Sequence, residues 1–176
     1  MKIGDFCVTN ARTYSEKEQW KEIHYLDTGN ITKNNVEEIQ VLVPGTDKIP
    51  SRARRKVSVD DIIYSTVRPN QRHYGIIKNS DPQMLVSTGF VVLTVDQSIA
   101  DPDYIYYFLT QDDIVERLQA IGEQSTSAYP SIKPTDIEEL EIDLPPLMQQ
   151  KAIGRTLRAL EEKMAANSRI NDNLAA

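Results

Sequence analysis

Short apolar runs separated by Gly, Pro, Asn and Asp fill the first hundred residues with strand rather than helix spacing. Lys2 to Val8 and Glu22 to Leu26 carry strand-forming residues, and the tetrad Asp27-Thr28-Gly29-Asn30 is a turn signal with glycine available for a positive φ. Val36 to Val43 predicts another strand, closed by Pro44-Gly45, and a polar loop runs from Thr46 to Lys56. Val57 and Val59 alternate with polar neighbours, and Asp61 to Val67 continues as a partly buried strand ending at Arg68-Pro69. His73 to Ile77 and Leu85 to Val95 complete a single sheet of about five to seven strands, with Gly89 inside the last one at a bulge or close backbone approach.

The period then changes. Asp101-Pro102 opens a helix, aspartate capping the free N–H groups and proline suiting the first helical position. Ile105, Phe108, Leu109, Val115, Leu118 and Ile121 recur near a 3.6-residue period until Gly122 supplies a stop, so this helix should lie on the sheet. A polar loop from Glu123 to Tyr129 leads to a short helical turn over Pro134 to Glu139 and a last strand over Leu140 to Leu144, broken by Pro145-Pro146. From Leu147 to Ala176 helix formers dominate, and Ile153, Leu157, Leu160, Met164, Asn167, Asn171 and Leu174 follow a 4-3-4-3-4-3 spacing. That is a narrow heptad seam ringed by charge, the mark of a coiled-coil arm that needs a second helix, and its two asparagines weaken it while fixing register. The alternative is a helix docked on its own domain. The expected fold class is α+β, a mixed, largely antiparallel sheet domain with packed helices over residues 1–145 and a long C-terminal coiled-coil helix over 146–176.

Composition adds limits. The chain has 176 residues, 20 Lys+Arg and 26 Asp+Glu, hence a formal charge of −6. A chain of this size buries roughly 70 % of its unfolded surface and needs neither metal nor disulfide to fold. Cys7 stands alone, excluding an internal disulfide and a cysteine-based zinc site and favouring the cytoplasm. No apolar run approaches the ~20 residues that span a bilayer, so no membrane partner is expected. The charge is polarised: Lys48 to Lys78 carries a local +6 and Asp96 to Asp143 a local −10. Overall acidity therefore does not exclude a polyanion partner, because the field of one face decides. A purely solvated surface is the plainer reading of both stretches.

Catalytic constellations are missing from the sequence. It has no G-x-S-x-G, Walker A or G-x-G-x-x-G motif. Asp60-Asp61 is a poor metal pair, since adjacent strand residues point to opposite faces, and Glu161-Glu162-Lys163 sits among ion-pairing helix residues. His24 and His73 read as satisfied strand histidines. No cofactor is expected. Polyanion recognition fares better. Pro50 to Lys56 packs four bases, Arg52, Arg54, Arg55 and Lys56, into seven residues, and Arg68-Pro69-Asn70-Gln71-Arg72 sets two arginines around an asparagine and a glutamine. Arginine donates two hydrogen bonds to guanine, and asparagine or glutamine pairs both ways with adenine; lysine, serine and threonine mostly hold phosphates. Gln124 to Tyr129 adds a polar loop with an aromatic end, in which Ser127 and Tyr129 suit phosphate contact or groove packing.

At these residues the chain resembles the target-recognition domains of specificity subunits from type I restriction–modification systems. The matching stretches are Ser51-Arg52-Ala53-Arg54-Arg55, Asp61-Ile62-Ile63-Tyr64-Ser65-Thr66-Val67-Arg68-Pro69, Val86-Ser87-Thr88-Gly89-Phe90-Val91-Val92-Leu93, Tyr104-Ile105-Tyr106-Tyr107-Phe108-Leu109 and Ser127-Ala128-Tyr129-Pro130-Ser131-Ile132. The most specific is Ile142-Asp143-Leu144-Pro145-Pro146-Leu147 with Gln150, Ala152-Ile153, Leu157 and Leu160, a hinge into the family's conserved helix. The resemblance implies a non-catalytic subunit that selects a double-stranded DNA site for a methyltransferase (modification) subunit and a motor/restriction subunit. It also implies two recognition domains separated by two helices paired as an antiparallel coiled coil.

This chain carries one domain and one helix, which fits a half-length subunit that pairs with itself, or a fragment. Antiparallel pairing of two copies would match a split, inverted-repeat target. Leu147 to Ala176 amounts to roughly 45 Å of helix at ~1.5 Å per residue, comparable with ~13 base pairs at ~3.4 Å each. Two other readings stay open at this point: an assembly module docking a partner through the helix without reading DNA, and a small nuclease using Asp60 or Asp61.

Overall fold

The computed structural model describes residues 1–125 and 129–175, the side chains of 172–175 excepted. Its centre is two four-stranded sheets rather than one. The first has β1 (Cys7–Thr9), β10 (Phe90–Val95), β7 (Ile62–Ser65) and β8 (Tyr74–Ile76) in that spatial order, antiparallel throughout. The second orders β5 (Gln40–Leu42), β2 (Ile23–Leu26), β9 (Met84–Ser87) and β6 (Ala53–Lys56), with β2 and β9 parallel and the other pairs antiparallel. A small hairpin, β3 (Ile31–Thr32) and β4 (Asn35–Val36), flanks them.

The run expected as one strand from Leu85 to Val95 is split between the two sheets. Every residue of it but Thr88 and Thr94 is buried, Gly89 at the crossing included, because each strand packs on both faces. Met84 and Val86 meet Ile63, Phe90 and Val92 in a core between the sheets, together with Leu26 and Ile31. Leu85 faces outward to Tyr14, Ile23, Tyr25 and Ala53, and Val91, Leu93 and Val95 face the helices. The chain crosses from sheet to sheet at Thr88-Gly89. A β-carbon at Gly89 would come within 2.8 Å of both Arg52 Nη2 and Thr28 Cγ2, so a larger residue there would have to displace those side chains.

The single helix expected from Asp101 to Ile121 is also two, α1 (Pro102–Leu109) and α2 (Asp112–Glu123). The Asp101 side chain accepts a 3.0 Å bond from Tyr104 N–H at the first start, as its capping role predicts, and Asp112-Asp113 favour a second helix N-terminus. Both helices lay Ile105, Tyr106, Leu109, Val115 and Leu118 on the first sheet. Helix α3 (Pro134–Glu138) falls where expected. Four shorter expectations are corrected. Asp27 caps a 3-10 turn over Thr28–Asn30; Val36 to Val43 divides into β4 and β5; Lys2 to Val8 begins with a 3-10 turn, Ile3–Asp5; Leu140 to Leu144 makes only one isolated bridge, Glu141 to Lys2. In the last two, buried Ile3, Leu140 and Ile142 produce strand-like alternation, but the segments bond to each other beyond either sheet. Helix α4 (Leu147–Ala175) follows the two prolines as predicted.

Candidate nucleic-acid interface

Strand directions decide which loops meet. Val86 pairs with Leu26, Ser87 with Ala53, Phe90 with Ser65 and Tyr64 with Tyr74. The ends of β2, β7 and β9 and the starts of β6, β8 and β10 therefore gather at one edge. Thr66 donates from both N–H and Oγ1 to Gly89 O, at 2.8 and 2.9 Å, and Thr88 N–H donates to Arg52 O at 2.8 Å. Arg52 is thus tied to the segment that leads into Arg68. Burial works to raise Asp27, but bonds from Thr28 N–H and the Ser87 and Tyr25 hydroxyls, with the nearby Arg52 guanidinium, outweigh it and hold the carboxyl below its ordinary value.

The turn from Arg68 to Arg72 is the best-braced feature of this edge. It joins β7 to β8 through a 3-10 turn, Pro69–Gln71, and both flanking arginines are left-handed, at φ 49° and 58°. Such conformations cost a β-carbon-bearing residue on the order of 1–3 kcal/mol and collect at functional sites. Surrounding contacts hold them: Arg68 N–H donates to Pro130 O (2.9 Å), Asn70 N–H to Gln119 Oε1 (3.2 Å) and Arg72 N–H to Pro69 O (2.9 Å). Pro69 is buried beneath, while the Asn70 and Gln71 side chains are exposed. Arg72 pairs with Asp112 at 2.7 Å, and that bond, with one it donates to the Tyr74 hydroxyl, raises its guanidinium further. The Arg68 guanidinium stacks on the exposed Tyr129 ring, 4.7 Å from its centroid. Ser127 lies outside the described residues.

The basic run 52–56 departs from expectation, because Ala53–Lys56 is not loop but an edge strand. Ala53 is fully buried against the outer core and β6 pairs with β9, with a register shift between Ala53 and Arg55. Arg54 pairs with Glu16 at 2.8 Å; Lys56 pairs with Glu18 and lies 5.3 Å over the Trp20 ring, its aliphatic stem covering apolar surface. The Arg55 Nε is buried with no partner among the described residues, and burial pushes that guanidinium down. Arg52 consequently joins Arg68, Asn70, Gln71 and Arg72 at one edge. Arg54, Arg55 and Lys56 run away from it, Lys56 by about 13 Å at ~3.3 Å per residue. The carboxylate partners of Arg54, Lys56 and Arg72 are surface pairs worth ~0–1 kcal/mol, which a polyanion can displace.

The remaining chemistry is structural. Asp61 accepts from Thr94 Oγ1 (2.6 Å) and Ser58 N–H (2.7 Å), whereas Asp60 accepts from Lys78 (2.6 Å), so the two carboxylates diverge. Among the described residues no group of three His, Cys, Asp or Glu could hold a metal, and no helix is long and apolar enough to cross a membrane. Sequence reasoning missed Thr28, Thr66 and Gln119, which brace the edge; Thr66 sits inside a stretch that carried the family resemblance, and Gln119 had no local signal.

Helix α4 presents two faces. Gln150, Gly154, Arg158 and Glu161 turn toward the domain: Gln150 is 1 % exposed, and the Tyr106 and Tyr107 hydroxyls donate to Glu161 at 3.3 and 2.9 Å. The heptad seam points elsewhere, with Ile153 41 %, Leu157 37 %, Leu160 54 % and Met164 72 % exposed. Asn167 and Asn171 are exposed too, and the Leu174 side chain lies outside the described residues.

Comparison with known proteins agrees with this architecture. The chain is 23 % identical over 172 residues to the HindI type I restriction enzyme specificity subunit of Haemophilus influenzae, covering 98 % of this chain and 37 % of that one. It superposes on the HsdS subunit from Thermoanaerobacter tengcongensis with a TM-score of 0.79 at 23 % identity, over 97 % of this chain and 43 % of that chain. A chain from a structure of complex assembly and conformational transition in the type I R-M system matches equally well, with a TM-score of 0.79 at 24 % identity, over 97 % of this chain and 43 % of that one. The chain therefore spans about two fifths of the length of these relatives. The family model described as type I restriction modification DNA specificity domain matches residues 1–176, and the chain belongs to that family.

Proposed function

We propose that residues 1–145 form a target-recognition domain that selects a double-stranded DNA sequence for a type I restriction–modification complex, and that 146–176 form its spacer helix. In this reading the chain is a non-catalytic, cytoplasmic subunit. Methylation and cleavage come from a partner methyltransferase subunit and a motor/restriction subunit, and two copies pair through the seam of α4. The observation that carries it is the Arg68–Arg72 turn, in a chain that belongs over its whole length to a DNA specificity family. A strained but braced backbone holds Asn70 and Gln71 out to solvent, pre-organised for base edges, between cations suited to phosphates. Arg52 extends the same edge, and Tyr129 keeps the Arg68 guanidinium planar to it. Arg54, Arg55 and Lys56 supply flanking phosphate contacts along the edge strand.

The test is duplex binding by fluorescence anisotropy across a salt series, using duplexes selected from a random pool. The log of the affinity should fall linearly with log salt, by about 0.9 per phosphate neutralised. Arg52→Ala with Arg68→Ala should flatten that slope, whereas Asn70→Ala with Gln71→Ala should leave the slope and relax sequence preference by about 1–3 kcal/mol per lost bidentate contact. A salt-independent signal overturns the reading.

A further inference from the structure

The reading turn is the tip of the β7–β8 hairpin, and the other end of that hairpin is clamped to helix α4. Asp60 precedes β7 and Lys78 follows β8. Lys78 Nζ lies 2.6 Å from Asp60 Oδ1 and 2.8 Å from Asp103 Oδ1, and the same Asp103 oxygen takes Arg158 Nη1 from α4 at 2.6 Å. All four side chains are largely shielded, 18–29 % exposed, so their attraction is less screened than on open surface. One turn earlier on α4, Gly154 receives the start of α1. A β-carbon there would stand 2.6 Å from Asp101 Oδ1 and 3.1 Å from Tyr104 N, so the helix approaches as closely as backbone allows. One turn earlier again, Gln150 Oε1 accepts from Asp101 N–H at 3.0 Å, and Nε2 donates to Pro145 O at 2.8 Å. Nearer the tip, Tyr64, Tyr74 and Tyr106 pack in series, with ring centroids 5.5 and 6.2 Å apart, and Tyr106 donates to Glu161.

We propose that Gly154, Arg158, Asp103 and Lys78 are positioning residues: they lock the angle between α4 and the β7–β8 hairpin, and so set where the reading turn stands relative to whatever the helix seam joins. The hairpin is a lever held at its base by the ionic chain Asp60–Lys78–Asp103–Arg158. The clamp matters because residues 162–171 of α4, beyond Glu161, are all exposed and extend away from it as a rod. A tilt of about 10° at Gly154 moves Asn171, roughly 26 Å further along at ~1.5 Å per residue, by about 4–5 Å. That exceeds the ~3.4 Å rise of one base pair along a strand. The consequence for DNA spacing rests on the proposed recognition function; the orientation itself does not.

Spin labels at Gln71→Cys and Ala166→Cys, diluted with unlabelled chain, read the angle directly without DNA. The native Cys7 is buried, which shields its thiol from the label. The wild type should give one narrow distance distribution. Lys78→Met with Arg158→Met should broaden it while the cooperative thermal melt persists, and Gly154→Ala should shift its mean by several ångströms. An unchanged distribution in folded variants overturns the proposal, and so does loss of the cooperative melt in both, since these residues would then hold the fold and not the angle. In unlabelled chain, inverted half-sites with graded spacers should show an optimum that the double variant flattens at least threefold. A wild type without any optimum sinks the recognition reading and leaves the orientation result standing.

Discussion

Arg68 and Arg72 each hold a backbone conformation that a β-carbon resists, and neither can relax without breaking a contact to Pro130, Gln119 or Asp112. Residues placed this way lose little further freedom on binding, so their interactions with a ligand are not consumed in ordering the loop. His24 shows a different economy. Its ring nitrogens lie 2.6 Å from Asp81 Oδ2 and 2.7 Å from Glu22 Oε1, and both can donate only when the imidazole is protonated. The bond to Asp81, then that to Glu22, raises its titration above the usual value. A raised native value means the contribution is fully present below about pH 6.5, the ordinary histidine value, and fades as pH rises through the raised one. The melting temperature of the wild type should therefore fall relative to His24→Gln between pH 6 and pH 9, by an amount equivalent to ~1 kcal/mol or less for a partly exposed pair. Parallel pH profiles would show that the two carboxylates do not act through the ring.

Among the elements, α4 combines two incompatible-looking spacings. The 4-4-3 row Gln150, Gly154, Arg158, Glu161 is polar and faces the domain, while the 4-3-4 row Ile153, Leu157, Leu160, Met164 is apolar and faces water. A docked amphipathic helix would do the reverse and bury its apolar stripe. The exposed seam is the surface that the proposed pairing of two copies would use. Leu157→Ala with Leu160→Ala should shift sedimentation toward the monomer without lowering the melting temperature of the dilute chain, because neither side chain is buried within it. An unchanged mass would overturn pairing of two copies through this seam.

For the whole molecule, the two sheets pack as one block, with the Arg52 and Arg68–Arg72 loops at one edge and α4 on the helical side. The first sheet is sandwiched between helices and second sheet, so both faces of β7, and of β10 as far as Leu93, are dry, and each fully buried Ile or Phe there contributes roughly 1.5–3 kcal/mol. Two such blocks joined through an antiparallel seam would present their edges about a helix length apart. An inverted pair of half-sites should then bind at least tenfold tighter than either half-site alone, read by competition at constant salt, because the second contact is made at high effective concentration. Equal affinity would mean that one chain reads alone.

Local chemistry along the chain determined a good deal. The Asp101 cap, the Pro145-Pro146 break, the position of α3 and the heptad seam each depend on neighbours a few residues away, so they were legible before any fold. The order of the resembling stretches likewise held the family. Only tertiary structure decided that the apolar run through Gly89 crosses between two sheets, since a strand dry on both faces has no alternation to reveal where it changes partner. The same holds for the basic cluster. Spacing placed Arg52 through Lys56 on one loop, but burial of Ala53 and pairing with β9 turned most of it into an edge strand whose charges found Glu16 and Glu18 nearly 40 residues away. Long-range pairing allots partners to charges, and it is invisible in a sequence because it depends on which surfaces the core has already brought together.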